Sequence, residues 1–372
     1  MTANTKATIE SFLRQMLEKN AADLFLIAGS QPSLRIGKGL APIGEDVLMP
    51  QNTSEIAQAI MSPNQLETFF QTKELNFALS LPGIARFRVN AFFQRDSIGF
   101  VFRRIETNIP TLESLNLPLI LQDFIMAPRG LVLMVGATGS GKSTALASMI
   151  DYRNRNASGH ILTIEDPIEF VHRHQKSVVT QREVGVDTES YATALKNALR
   201  QAPDVILVGE IRSADTMEAA LSFAETGHLC LSTLHSTNTA QAIERIINFF
   251  PNERRDQLYM DLALNLRAIV ALRLLPRKGS QGRIPATEIL INTSTIEGHL
   301  FRGEVEAIRD LVARSTQLGM RTFDQSIYEL CQKGYISYED AIRYADAPND
   351  LRLKLKIENI GLQANKPGFD IL

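Results

Sequence analysis

Cysteine is nearly absent from this chain. Cys230 and Cys331, a hundred residues apart, are its two thiols, too few for a disulfide framework or a four-cysteine zinc site and in keeping with a reducing compartment. The cytoplasm is therefore the expected location. Long apolar runs are missing as well. The N-terminal stretch MTANTKATIESFLRQMLEKN has no apolar core bounded by a cleavage site, and LVLMV at 131–135 is far too short to span a bilayer. No direct membrane insertion is expected, so contact with a membrane has to come through a partner. A surplus of charge is lacking too: 39 Lys and Arg stand against 41 Asp and Glu, a formal net charge of -2. With no basic stripe interleaved with aromatics, the electrostatic footing for a nucleic-acid partner is gone. No internal repeat or low-complexity tract interrupts the chain.

What is present is an ordinary globular composition, 44% hydrophobic and 22% charged over 372 residues, a length that favours two domains over one. Ile9, Phe12, Leu13, Met16 and Leu17 recur at helical spacing, and ADLFLIAG and PSLRIG read as strands divided by turn residues. Helices are expected around Ile56 to Phe70. LNFALS, ARFRVNAFFQR and SIGFVFRR then complete a small antiparallel sheet, in which Arg86, Arg88 and Asn90 alternate with Phe87, Val89 and Ala91 and so share one face. This gives an α+β domain over residues 1–105. A linker over 106–116, followed by Pro118, marks a change of periodicity. From 117 to 292 the pattern is α/β: the strands LVLMVG, HILTIED, SVVTQRE, DVILVGE and HLCLSTLH are nearly continuous apolar runs, separated mostly by helices starting near Lys142, Ser190, Ser213 and Thr237. Such runs are central strands of a largely parallel sheet with right-handed crossovers. The last hundred residues look helical, and within them a helical C-terminal region is set at 293–372, where Thr322 with Gln325 and Ser337 with Asp340 have capping-box spacing.

Gly136-Ala137-Thr138-Gly139-Ser140-Gly141-Lys142-Ser143-Thr144 satisfies G-x-x-x-x-G-K-[ST], with an apolar strand before it and a helix-forming segment after it. Its glycines let backbone N–H groups close around phosphates at a helix N-terminus, Lys142 reaches the β- and γ-phosphates, and the Ser143 hydroxyl can ligate Mg²⁺. Hydrolysis further needs a carboxylate to orient water and another near the metal. Glu210, displaced past a glycine at the end of DVILVGE, and Glu165 with Asp166, at the end of HILTIED, are the acids offered; the alternative is a pair of solvated strand-end acids. His228 and His235 sit at the two ends of one strand, too far apart for one metal. They read either as core or edge histidines or, for one of them, as a γ-phosphate sensor. Arg86, Arg88, Arg103 and Arg104 read either as a solvated sheet face or as arginines offered to a phosphate in trans.

The segments ARFRVNAF, GATGSGKST, ILTIEDPIEFVH, DVILVGEIR, AETGHLCLSTLHSTNT and LGMRTFDQS resemble the type II/IV secretion ATPases, and within them the PilT/PilU-type pilus retraction ATPases, over nearly the whole chain. The resemblance implies a PAS-like N-terminal domain, a RecA-like motor domain, and a homohexameric ring with ATP between subunits. It also implies roles for single residues. Lys142 and Ser143 hold phosphate and Mg²⁺, Glu210 is the acid near the metal, and Glu165 polarises the attacking water. His228 and His235 contact or sense the γ-phosphate, while Arg86, Arg88 and Arg103 reach the nucleotide from the N-terminal domain. The implied function is a Mg²⁺-dependent ATPase powering pilus retraction and twitching motility at the inner-membrane pilus base, with a PilT-type paralogue and a platform protein as partners. The stretch TIEGHLFR carries Glu297 and His299 where the PilT pattern has arginine and leucine, which is closer to the accessory paralogue PilU. That departure keeps open a nucleotide-gated adaptor that supports the PilT motor. Absence of a four-cysteine module favours retraction over pilus assembly.

Overall fold

The computed structural model describes residues 2–37, 39–81, 85–280 and 282–358; the end of the expected C-terminal helical region, 359–372, lies outside them. The chain divides into two units, the first made of Met1–Asn108 with Ile168–Val171 and Gly185–Glu189, the second of the remainder.

In the first unit, helix α1 (Thr2–Glu18) is followed by strands β1 (Asp23–Ile27), β2 (Ser33–Ile36) and β3 (Gly39–Pro42), helices α2 (Pro50–Ile60) and α3 (Pro63–Thr72), and strands β4 (Glu74–Leu81), β5 (Ala85–Gln94) and β6 (Ser97–Arg104). The strands join in the order β3-β2-β1-β6-β5-β4, antiparallel throughout. Ile9, Leu13 and Met16 of α1 are buried on Ile56 and Ala57 of α2 and on Phe87, Val89 and Ala91 of β5, all in one core. Arg86 and Arg88 therefore lie on the sheet face away from that core. Short β3 escapes a period-2 reading because it is mostly exposed and ends in proline.

The second unit runs α4 (Ile120–Met126), β7 (Gly130–Val135), α5 (Lys142–Asn156), β8 (Gly159–Glu165), β9 (Ser177–Glu183), α6 (Tyr191–Ala198), β10 (Val205–Val208), α7 (Ala214–Glu225), β11 (Leu229–Leu234), α8 (Thr239–Ile247), α9 (Arg255–Asn265), β12 (Leu266–Pro276) and β13 (Arg283–Ile291). Helices α10 (Ser294–Phe301), α11 (Val305–Arg314), α12 (Phe323–Gln332), α13 (Tyr338–Tyr344) and α14 (Pro348–Ile357) follow. The sheet order is β13-β12-β7-β11-β10-β8-β9, parallel except for the β12–β13 pair. Both faces are covered. Leu131, Leu133 and Val135 of β7 enter one core, Val132 and Met134 the other, which is why β7 reads as an unbroken apolar run.

One expectation is corrected here: the last hundred residues are not wholly helical. Strand β12 continues to Pro276 and β13 adds an antiparallel edge. Helix α9 passes into β12 at Leu266 with no glycine or proline between them, so no local breaker announces the change. The C-terminal helices share the core of the sheet, with Ile296, Leu300, Ile308, Phe323, Ile327 and Leu355 in the same cluster as β7.

Candidate functional site

The loop between β7 and α5 is built on positive-φ glycines, Gly136 (φ 150), Gly139 (φ 75) and Gly141 (φ 96). At Gly136 an added Cβ would lie 2.4 Å from Ser140 Oγ and 2.6 Å from the carbonyl oxygen of Leu272 on β12. The loop is thus pressed against the neighbouring strand, and only glycine fits. Around Gly139, by contrast, an added Cβ would meet nothing within 4 Å. Buried Lys142 donates from Nζ to the carbonyl oxygens of Gly136 (2.8 Å) and Ala137 (3.0 Å). Among the described residues buried Ser140 Oγ has no hydrogen-bond partner, and α5 opens on Gly141 without a side-chain cap. A buried hydroxyl without a partner, an ammonium folded into its own loop and an uncapped helix N-terminus together form a cradle for an anion. Ser143 and Thr144 occupy the first turn of α5.

Parallel pairing aligns the carboxyl ends of β8, β10, β11 and β7 at one edge: Val208 lies opposite both Ile164 and Ser232, and Leu234 opposite Val135. The acids gather there. Glu165 accepts at Oε1 from Thr163 Oγ1 (2.7 Å) and Gln181 Nε2 (3.2 Å). The Glu210 Oε2 atom accepts from Arg212 Nε and Nη2, both at 2.7 Å, while Oε1 is 3.0 Å from His235 Nε2. Arg212 also lies 3.9 Å from Asp166. The hydrogen bond to Glu210 is the main reason its guanidinium is held above the usual arginine range. Tyr191 stands over this group. Burial first, then the charge of Asp166, pushes its hydroxyl up to about 12, so it stays protonated at neutral pH. The residue beneath is Gly209, where a Cβ would come within 2.9 Å of the Tyr191 hydroxyl and 3.2 Å of the Ile164 carbonyl oxygen.

His235 follows β11 at this edge and lines, with Ala137, Thr237, Gln241, Glu244 and Arg245, a cavity of about 560 Å³. The two histidines lie at opposite edges of the sheet. His228 precedes β11 at the opposite edge, where its carbonyl oxygen accepts from Gly130 N and its Nδ1 is 3.1 Å from Thr226 Oγ1. Seven residue steps at about 3.3 Å each put the two residues on the order of 20 Å apart, so within one chain His228 lies away from the loop.

The arginines belong to the first unit. Arg88 is the cross-strand neighbour of Arg103, and Arg86 Nε is buried without a hydrogen-bond partner among the described residues. Arg103 is engaged locally: its Nε donates to Asp23 Oδ1 at 2.7 Å, and that bond, ahead of the opposing burial, holds its guanidinium above the usual range. Sequence reading did not single out Arg212, Tyr191, Thr163 or Gln181. Arg212 alone left a signal, two residues past Glu210 in GEIR.

Residues 99–335 match the family described as Type II/IV secretion system protein. The Type IV pilus ATPase PilU of Pseudomonas aeruginosa is 54% identical over 94% of this chain and 91% of its own. PilT, the type IV pilus retraction ATPase of the same organism, is 40% identical over 92% of this chain and 99% of its own. The crystal structure of the pilus retraction motor PilT with bound ADP matches with a TM-score of 0.85 at 38% identity, covering 92% of this chain and 98% of that one. For the Legionella pneumophila ATPase DotB the values are 0.79 and 27%, covering 95% and 96%. With the phosphate loop and the acids gathered at one sheet edge, this similarity along almost the full length places the chain in the PilT/PilU-type pilus ATPases of the type II/IV secretion family, with PilU as a nearer relative than PilT.

Proposed function

We propose that this protein is a Mg²⁺-dependent ATP hydrolase of the type IV pilus machine, a hexameric ring that powers or assists pilus retraction and twitching motility. The observation that carries the reading is the pair of acids at the loop's edge of the sheet, Glu165 and Glu210, each held by neutral or cationic donors. Lys142 exchanges the carbonyls of Gly136 and Ala137 for phosphate oxygens, and the backbone from Gly136 to Gly141 closes around the anion. Among the described residues no group of three or more His, Cys, Asp or Glu can hold a metal ion. That fits a metal carried in by nucleotide phosphates and water, with the Ser143 hydroxyl and the Glu210 carboxylate as the protein's share. When bound, Mg²⁺ neutralises charge on the transferring phosphate. Glu165 orients the water and His235 senses the γ-phosphate next to Glu210. Arg86, Arg88 and Arg103 serve a nucleotide in trans, Arg103 after releasing Asp23.

The setting is cytoplasmic, at the inner-membrane pilus base, with a PilT-type paralogue and the platform protein as partners; among the described residues no helix is long and apolar enough to cross a membrane. Phosphate release by the purified protein, with the paralogue present, tests the motor. Lys142→Ala is expected to lower it at least about 100-fold, and equal rates in the two proteins overturn the reading.

A second reading, a nucleotide-gated adaptor for the PilT motor, draws on α10. Its His299 is 2.6 Å from Glu304, which also pairs with Arg302 at 2.9 Å, a local ion cluster in the segment where this chain departs from the PilT pattern. Full retraction by Glu165→Ala or Glu210→Ala variants beside normal PilT would favour the adaptor.

A further inference from the structure

We propose that Thr163 and Gln181 are positioning residues for Glu165, a cross-strand pair that fixes one carboxylate oxygen so that the group can hold the attacking water. The proposal rests on the reading of Glu165 as the residue that orients water. Thr163 and Glu165 are two apart on β8 and so share a face. Strand β9 runs parallel beside it, in a register that sets Gln181 opposite Thr163 and Glu183 opposite Glu165. The Gln181 side chain thus rises on the same face, one rung behind the carboxylate. The Thr163 hydroxyl, wholly buried, and the Gln181 amide nitrogen both donate to Glu165 Oε1, at 2.7 and 3.2 Å.

The amide is not free to turn over. The backbone N–H of His172 donates to Gln181 Oε1 at 2.8 Å, which leaves Nε2 for the carboxylate. A flipped amide would set its oxygen against a carboxylate oxygen and its NH₂ against an N–H, losing both bonds. The orientation of Glu165 is therefore handed down from the backbone of the β8–β9 connection to the glutamine on β9 and on to the carboxylate. Hydrolysis by an in-line water demands such a fixed group, since a misplacement of about 1 Å costs on the order of 100-fold in rate.

The test uses the full-length protein and its variants Gln181→Leu, Thr163→Val, Thr163→Ser, Glu165→Ala and Glu165→Ala/Gln181→Leu. ATP hydrolysis is read in steady state and single turnover, and binding with a fluorescent ADP analogue. Gln181→Leu and Thr163→Val are expected to lower kcat by about 10- to 100-fold while KM and analogue affinity stay within about threefold, and Thr163→Ser to restore most of the rate. In the Glu165→Ala background Gln181→Leu is expected to change the residual rate by less than about twofold, because the two act through one group. An undiminished loss in that background, a wild-type kcat for Gln181→Leu, or a defect confined to nucleotide affinity overturns the proposal. Wild-type turnover by Glu165→Ala itself would instead remove the water-orienting role on which the proposal stands, and is seen separately.

Discussion

Gly136 and His172 show how single residues are constrained by what surrounds them. A methyl group at Gly136 meets Ser140 Oγ and the Leu272 carbonyl oxygen at a backbone angle that L-residues rarely adopt. Gly136→Ala is therefore expected to displace the loop and weaken nucleotide binding by at least about tenfold, about 1.4 kcal/mol, while circular dichroism stays that of the wild type. Titration with a fluorescent nucleotide checks it. His172 is buried, and burial lowers its imidazole to about 4. As pH falls below about 6.5 the unfolded chain takes up a proton that the folded chain refuses, so stability drops down to about pH 4 by up to about 3 kcal/mol and is fully present above neutrality. Urea unfolding at pH 7 and pH 5 is expected to show a smaller loss for His172→Gln than for the wild type.

At the scale of elements, the helix starts read from spacing are made by their caps. Thr322 accepts from Gln325 N while the Gln325 side chain accepts from Thr322 N, and Ser337 accepts from Asp340 N. Helix α12 carries Phe323 and Ile327 into the core shared with the sheet, so its first turn bears on the whole unit. Thr322→Ala is expected to cost about 1 kcal/mol in denaturant unfolding, with hydrolysis unchanged once the protein is folded. Strands were legible where a run covered on both faces is also bounded by turn signals, as in β7, β10 and β11. They were not legible where a helix runs into a strand without a breaker, as at Leu266, or where an edge strand such as β3 has almost no buried face.

The whole second unit folds around two cores on the two faces of one sheet, and both thiols are lost inside it: Cys230 is fully buried, Cys331 nearly so, and burial pushes each thiol up. An aromatic disulfide reagent is expected to label neither cysteine in the native protein and both after denaturation; fast native labelling of Cys230 would contradict the packing of β11. By itself the sequence determined the loop, the run of parallel strands and the acids after them, because glycine spacing and apolar periodicity are local and each strand carries its own. Only the tertiary structure decided that His235 joins Glu210, that Arg103 is taken by Asp23 eighty residues away, and that Gln181 backs Glu165. Those partnerships depend on which strands are neighbours, in what direction and at what register, and hydrogen bonding across a sheet is a property of pairs of segments that no single segment encodes.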